Sequence, residues 1–335
     1  MALPEKMETA RLALRPLAAA DAAAWLAAFN TPNLAHWLSA PPFPYTAADF
    51  AAFLAEAPGR ALWVIDDAEG VAGSVALNPH LGYWVAPRAQ GRGYAQEAAQ
   101  AVLAAHFARP DAEAVKSGHF EGNAASARVL AKLGFAETHR GPEYCRPLRR
   151  DRAHVAMTLT RGAWAARHPF TLTTARLTLD PVTSADAAAI RRIVTDPAVG
   201  PMLFAFPPDL DLASAEDLAS RWGWRGTPPF RLALRPGAGA ELIGTIGLKA
   251  LDEPEIYYFL APERHGHGLM REALAAFLPA ITRRFGLTRL AAKVFDDNPA
   301  SARLLTAQGF RPDAAYLQAT PARPAPAPAH LFRRP

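Results

Sequence analysis

The sequence predicts an α/β chain made of two tandem domains. Three observations carry this. At 335 residues the chain suits two domains of roughly 150 residues each. The stretch from Gly82 to Phe135 alternates strand, glycine loop, helix, strand, helix, and a diverged copy returns from Tyr257 to Phe310. Finally, Thr9-Ala-Arg-Leu12 and Thr174-Ala-Arg-Leu177 open the two halves, each followed by Ala-Asp-Ala-Ala-Ala before a helix. Boundaries at 1–162 and 173–335 follow, because Arg161 to Thr173 lacks periodicity and contains Gly162 and His168-Pro169.

In chain order, a short strand ends at Arg15-Pro16 and a helix follows. Pro42-Phe-Pro-Tyr45-Thr46-Ala-Ala-Asp49 then caps a second helix running to Leu54. Ala61 to Ile65, the turn Asp66 to Gly70, and Val71 to Leu77 read as a hairpin, repeated by Phe230 to Leu234 and Glu241 to Leu248. The strand ending at Val85 leads through Arg88-Ala-Gln90-Gly91-Arg92-Gly93 into a helix with apolar residues at 95, 98, 99, 102 and 103. In the second copy a strand ends at Leu260, and His265-Gly266-His267-Gly268 precedes a helix with apolar residues at 270, 273, 274, 277, 278 and 281. Such a turn aims free backbone N–H groups and a helix N-terminus at one point, which makes an anion cradle. Gly237-Ala-Gly239 has no helix after it and reads as a turn. A closing strand in the second half is expected to be short, from His330 to Arg333, because Pro321 to Pro328 is proline-rich.

Composition narrows the function. Hydrophobic residues make up 50% and charged residues 20%, with a formal charge of +5 and a pI near 9.5, so the chain is globular and mildly basic. Its arginines are scattered, with no basic strip interleaved with aromatics, so no nucleic acid partner is expected. Cys145 is the only cysteine, which excludes an intrachain disulfide and a thiolate metal cluster and suits a reducing compartment. The N-terminus lacks a signal segment and the alanine-rich runs are interrupted before spanning length, so a cytoplasmic protein without a membrane partner is expected.

The glycine loops exclude two familiar phosphate sites. A dinucleotide fingerprint would need glycine at Gln96 and Arg271, and a triphosphate loop would need Gly-Lys-Ser/Thr. Arg88-x-x-Gly91-x-Gly93 instead resembles the acetyl-coenzyme A pyrophosphate loop of the GNAT superfamily of N-acetyltransferases. Asn123-Ala-Ala-Ser126-Ala-Arg-Val-Leu130-Ala-Lys-Leu-Gly134-Phe135, with its counterpart Asn298 to Phe310, is similar to the signature of the branch containing the ribosomal-protein alanine and serine N-terminal acetyltransferases. Read from residues alone, the asparagines are helix N-caps and Gly-Phe is a helix stop; His265 and His267 are helix-start residues, since no third metal ligand stands at metal spacing.

The resemblance implies two domains, each a twisted mixed sheet flanked by helices, and transfer of an acetyl group from acetyl-coenzyme A to a primary amine on a peptide or small molecule, without a metal. Carried onto this chain, it places the co-substrate against Val85, Arg88, Gln90, Gly91, Arg92, Gly93, Tyr94, Ala95, Asn123 and Ser126, and against Leu260, His265, Gly266, His267, Gly268, Leu269, Met270, Asn298 and Ser301. It suggests His80 and Glu255 as bases, with Ser126 and Ser301 near the thioester sulfur, because Leu130 and Leu305 stand where many members have a tyrosine acid. His80 also reads as a loop histidine and Glu255 as a strand-end carboxylate. The first loop is expected to bind more tightly, since the second begins with Glu263 where the first has Arg88. The second acceptor segment, Val194 to Pro208, is more apolar than the first. A non-catalytic acyl-coenzyme A sensor or docking role for either half is the alternative.

Overall fold

The computed structural model describes residues 3–109 and 111–335, and the chain divides into two units, one ending at Arg167 and one beginning at His168. The first contains β1 (Met7–Glu8), β2 (Ala13–Arg15), α1 (Ala22–Phe29), α2 (Pro32–Ala35), α3 (Ala47–Glu56), β3 (Leu62–Asp67), β4 (Gly70–Leu77), β5 (Leu81–Val85), α4 (Tyr94–Phe107), β6 (Val115–Phe120), α5 (Ala124–Leu133), β7 (Ala136–Cys145), β8 (Arg150–Leu159) and α6 (Arg161–Arg167). The second contains β9 (Leu172–Thr173), β10 (Thr178–Pro181), α7 (Ala187–Val194), α8 (Leu212–Trp222), β11 (Phe230–Arg235), β12 (Gly244–Leu248), β13 (Ile256–Leu260), α9 (Leu269–Phe285), β14 (Leu290–Phe295), α10 (Pro299–Ala307), β15 (Arg311–Gln318) and β16 (Ala327–Arg334).

Each unit is a mixed sheet in two parts. In the first, β1-β2-β3-β4-β5 and β6-β8-β7 are antiparallel sheets joined by one parallel bridge, His80 to Lys116, and by the Ser117 hydroxyl, which donates to the Leu81 carbonyl at 2.8 Å. In the second, β9-β10-β11-β12-β13 and β14-β16-β15 are joined at Glu255 and Ala291. Away from each bridge the two parts separate, which opens a cleft between the strands.

The helices flanking the sheet follow from which residues are apolar. On one face α4 buries Ala98, Ala99, Val102 and Leu103 against Ile65, Val75 and Leu130; each fully buried Val or Leu side chain contributes about 1.5–3 kcal/mol. The paired alanines let the helix axis approach the sheet. On the other face Trp25, Phe29, Tyr45 and Phe50 pack on Val64 and Trp84.

Two expectations change. The aperiodic stretch after Arg161 forms α6, because Trp164 is buried and stacks on Phe107 at 5.5 Å, a tertiary contact that overrides weak local pattern. The last strand is longer than His330 to Arg333: β16 starts at Ala327 and lies between β14 and β15. Pro328 is tolerated near its start because its carbonyl still accepts from the Asp296 N–H at 3.0 Å.

Candidate functional site

Both clefts begin at a glycine loop of the same construction. After β5 a single turn, Pro87–Ala89, brings the chain to Gly91 and Gly93, with φ of 77° and 82°, before α4 starts at Tyr94. After β13 the turn Pro262–Arg264 leads to Gly266 and Gly268, with φ of 78° and 72°, before α9 starts at Leu269. Left-handed backbone at both positions explains the choice of glycine. Gln90 Nε2 donates to the Val85 carbonyl at 3.0 Å, and His265 Nε2 donates to the Leu260 carbonyl at 2.9 Å, so each loop is folded back on the strand before it. Among the described residues the N–H groups of Gly91, Arg92, Gly93, Tyr94 and Ala95 have no protein acceptor, as at any helix start. A Cβ at Gly91 or Gly266 would meet nothing within 4 Å, so the space in front of those donors is open.

The repeated Thr-Ala-Arg-Leu opening acts here. Glu97, in the first turn of α4, accepts from the Thr9 hydroxyl at 2.6 Å and from Arg11 Nε at 2.8 Å. Glu272 in α9 does the same with Thr174 at 2.6 Å and Arg176 Nε at 2.7 Å. Each helix start is thereby pinned to the opening strand, and Arg11 and Arg176 stand beside Gly93 and Gly268.

The first cleft, of about 1190 Å³, gathers His80, Val85, Gln90, Gly91, Gly93, Tyr94, Ala95, Asn123 and Ser126 along its walls. The second, of about 880 Å³, gathers Glu255, Leu260, His265, Gly266, Gly268, Leu269, Met270, Asn298 and Ser301. Asn123 and Asn298 cap their helices by accepting from the N–H of Ser126 and Ser301. Three expected contacts are directed elsewhere. Arg88 binds Asp67 through two bonds of 3.0 Å and also the Gly70 and Val71 carbonyls, while Arg92 pairs with Glu69 at 3.2 Å. Both guanidiniums therefore brace the β3–β4 turn rather than line the cleft, and the Arg88 bonds hold the Asp67 carboxyl below its usual range. His267 offers its carbonyl to Arg176. Glu263 in turn faces Arg192 at 3.5 Å. The charge contrast between the two loops that favoured the first is thus largely neutralised within each unit.

His80 and Glu255 occupy equivalent places, at the bridges where the sheet parts are still joined. His80 is exposed. Glu255 is held by Lys293 at 3.1 Å and Lys249 at 3.7 Å.

Sequence reasoning missed a hydroxyl pair that both halves contain. The Tyr83 hydroxyl lies 2.9 Å from Ser126 Oγ, and the Tyr258 hydroxyl 2.8 Å from Ser301 Oγ. Burial pushes both phenols up to about 12, so each stays protonated and can donate. Their signal was a tyrosine at the same place in both copies, two residues after Leu81 and Ile256. His154 was also missed, because it arrives from β8 by register: its ring sits over Gly118, where a Cβ would come within 2.3 Å of it. Burial, with some help from His119 and His80, lowers its pKa below the usual histidine range.

The model of the acetyltransferase (GNAT) domain family matches this chain twice, over residues 11–136 and 176–311. The chain belongs to the GNAT acetyltransferase family. The matched segments include both glycine loops and both Asn-x-x-Ser helix starts, so the tandem duplication is one of whole GNAT domains. A curated relative, the uncharacterized N-acetyltransferase YoaA of Bacillus subtilis, is 39% identical over 82 residues, a match spanning 23% of this chain and 46% of the relative. An acetyltransferase structure from Agrobacterium tumefaciens is 25% identical, covers 50% of this chain and 94% of its own, and has a TM-score of 0.40. RimL, a ribosomal-protein α-N-acetyltransferase in complex with coenzyme A, is 17% identical, covers 49% of this chain and 97% of its own, and has a TM-score of 0.41. The family model, not these structural likenesses, places the chain. GNAT acetyltransferases use acetyl-coenzyme A, and among the described residues no helix is long and apolar enough to cross a membrane.

Proposed function

We propose that the chain is an acetyl-coenzyme A-dependent N-acetyltransferase of primary amines, with residues 1–162 and 173–335 as its two domains and a protein N-terminus or small amine as acceptor. One observation carries the reading: in both units, a left-handed glycine loop with unpaired N–H groups and open space before it stands at the mouth of a split sheet. Those donors and the N-terminus of α4 or α9 suit a pyrophosphate, which needs close backbone approach. Bound there, acetyl-coenzyme A supplies an activated thioester whose acyl group passes to the amine.

The protein then has to orient the amine, accept its proton and supply one to the departing thiolate. Ser126 and Ser301, each backed by a protonated tyrosine, suit the second task, because the phenol can reprotonate the serine oxygen. This does the work of the tyrosine acid that Leu130 and Leu305 replace. For the amine proton, His80 and Glu255 remain the proposed bases, acting directly or through water, and in the first cleft His154 adds an imidazole that burial keeps neutral at pH 7. Thiol release from acetyl-coenzyme A across a panel of amines and peptides, with the product identified by mass, tests the reading. No amine-dependent release, despite coenzyme A binding, would favour the sensor alternative.

A further inference from the structure

The second cleft contains a buried cation without a counter-ion. Arg231 in β11 is 7% exposed and lines the cleft. Its guanidinium is stacked between Trp222 at 4.1 Å and Tyr257 at 3.9 Å, with Phe259 at 5.4 Å. Nη1 donates to the Thr245 hydroxyl at 2.9 Å. Among the described residues no carboxylate pairs with it, and the Nε–Nη2 edge of the fork has no acceptor, Nε being both buried and unsatisfied. Burial lowers its pKa to about 10, which still leaves it charged at pH 7.

Burying an unpaired charge costs several kcal/mol, and a methionine of similar length would occupy the same place more cheaply. The rings offset part of that cost. The site is also specific to this half. By strand register Arg231 opposes Gly247, which opposes Tyr257; the corresponding residues of the first unit are Leu62, Ala76 and Gly82. Gly247 is what admits the stack, since a Cβ there would come within 2.8 Å of Arg231 Cγ and 2.6 Å of Tyr257 Cε2. Glu255 and Tyr257 alternate onto the same face of β13, so an anion-seeking guanidinium and a carboxylate flank one ring. Leu203, Phe204, Phe206 and Leu218 supply apolar wall around them.

We propose that the acceptor of the second domain is an amino acid with an apolar side chain, whose carboxylate is bound by the Nε–Nη2 edge of Arg231. The inference rests on the acetyltransferase reading and deepens it. A planar carboxylate fits that edge with two parallel hydrogen bonds and neutralises the charge. The amino group then lies toward Glu255 and the thioester, and the side chain lies against the phenylalanines. Arg231 is thus a specificity residue, with no part in proton transfer.

The test uses the full-length chain and L-phenylalanine, L-leucine and L-methionine beside their amides, which keep the amine and lose the carboxylate. Thiol release should favour the acids at least tenfold in kcat/KM. In Arg231→Met the preference should fall to within twofold, through KM, while the melting shift given by coenzyme A is unchanged; Arg231→Lys should retain part of it. Binding provides a second readout: with coenzyme A present, N-acetyl-L-phenylalanine should raise the melting temperature and its amide should not. Equal use of acids and amides, a preference that survives Arg231→Met, or absence of any response to these ligands while coenzyme A binds would each overturn the inference and leave the acetyltransferase reading standing. Failure of coenzyme A itself to bind would overturn both.

Discussion

Substituting Gly91 by valine separates the two demands placed on that glycine. At a φ of 77° a side chain costs about 1–2 kcal/mol of left-handed strain. No clash adds to this, because nothing lies within 4 Å of the new Cβ. In a unit of this size the strain lowers the melting temperature by about 2–8 °C. Gly59 is a matched control: its φ is 81°, nothing lies within 4 Å of its Cβ, and it is not among the residues lining the cleft. Gly59→Val and Gly91→Val should therefore lose similar stability, yet only Gly91→Val should lose coenzyme A affinity, by at least tenfold or ~1.4 kcal/mol, since its methyl groups occupy the space before the loop N–H groups. Melting curves and calorimetric titration, both with Gly266→Val present so that the second cleft does not mask the first, supply the two numbers. Equal coenzyme A affinity in the two variants would refute the cradle.

Three further outcomes are expected. Tyr83→Phe with Tyr258→Phe should cost about 1 kcal/mol or less in stability per site and lower kcat for thiol release several-fold with coenzyme A affinity unchanged; an unchanged kcat would remove the hydroxyl pair from the chemistry. Arg88→Met should lower the melting temperature by freeing Asp67 while leaving coenzyme A affinity within twofold, and a large loss of affinity would return Arg88 to the cleft. Burial alone would raise the Glu97 carboxyl, but the bonds from Thr9 and Arg11 outweigh it and the pKa is lowered from 4.5. Its contribution is therefore present above that value and is lost as pH falls through the folded value; Glu97→Gln should flatten the acid limb of the stability curve, and an unchanged limb would contradict this.

What could be read from the sequence was set by local requirements. Glycines 91, 93, 266 and 268 stand where the backbone is left-handed, Asn123 and Asn298 stand where a helix needs a cap, and the apolar spacing of α4 and α9 follows their buried faces. Such features depend on a few neighbouring residues. The destinations of long side chains do not: Arg88 and Arg92 extend to a turn about twenty residues earlier in the chain, and nothing local distinguishes that from a pyrophosphate contact. Trp164 makes a helix of an apparent linker through one tertiary contact. Tyr83, His154 and Arg231 meet the clefts by strand pairing, so their roles required the register of β4–β5, β6–β8 and β11–β12.

Isothermal titration of coenzyme A into the full-length chain decides whether both halves are co-substrate-binding GNAT domains. Two saturable sites per chain are expected, reduced to one by Gly91→Val or by Gly266→Val alone. A chain that takes up no coenzyme A, or whose binding survives both substitutions together, contradicts the assignment.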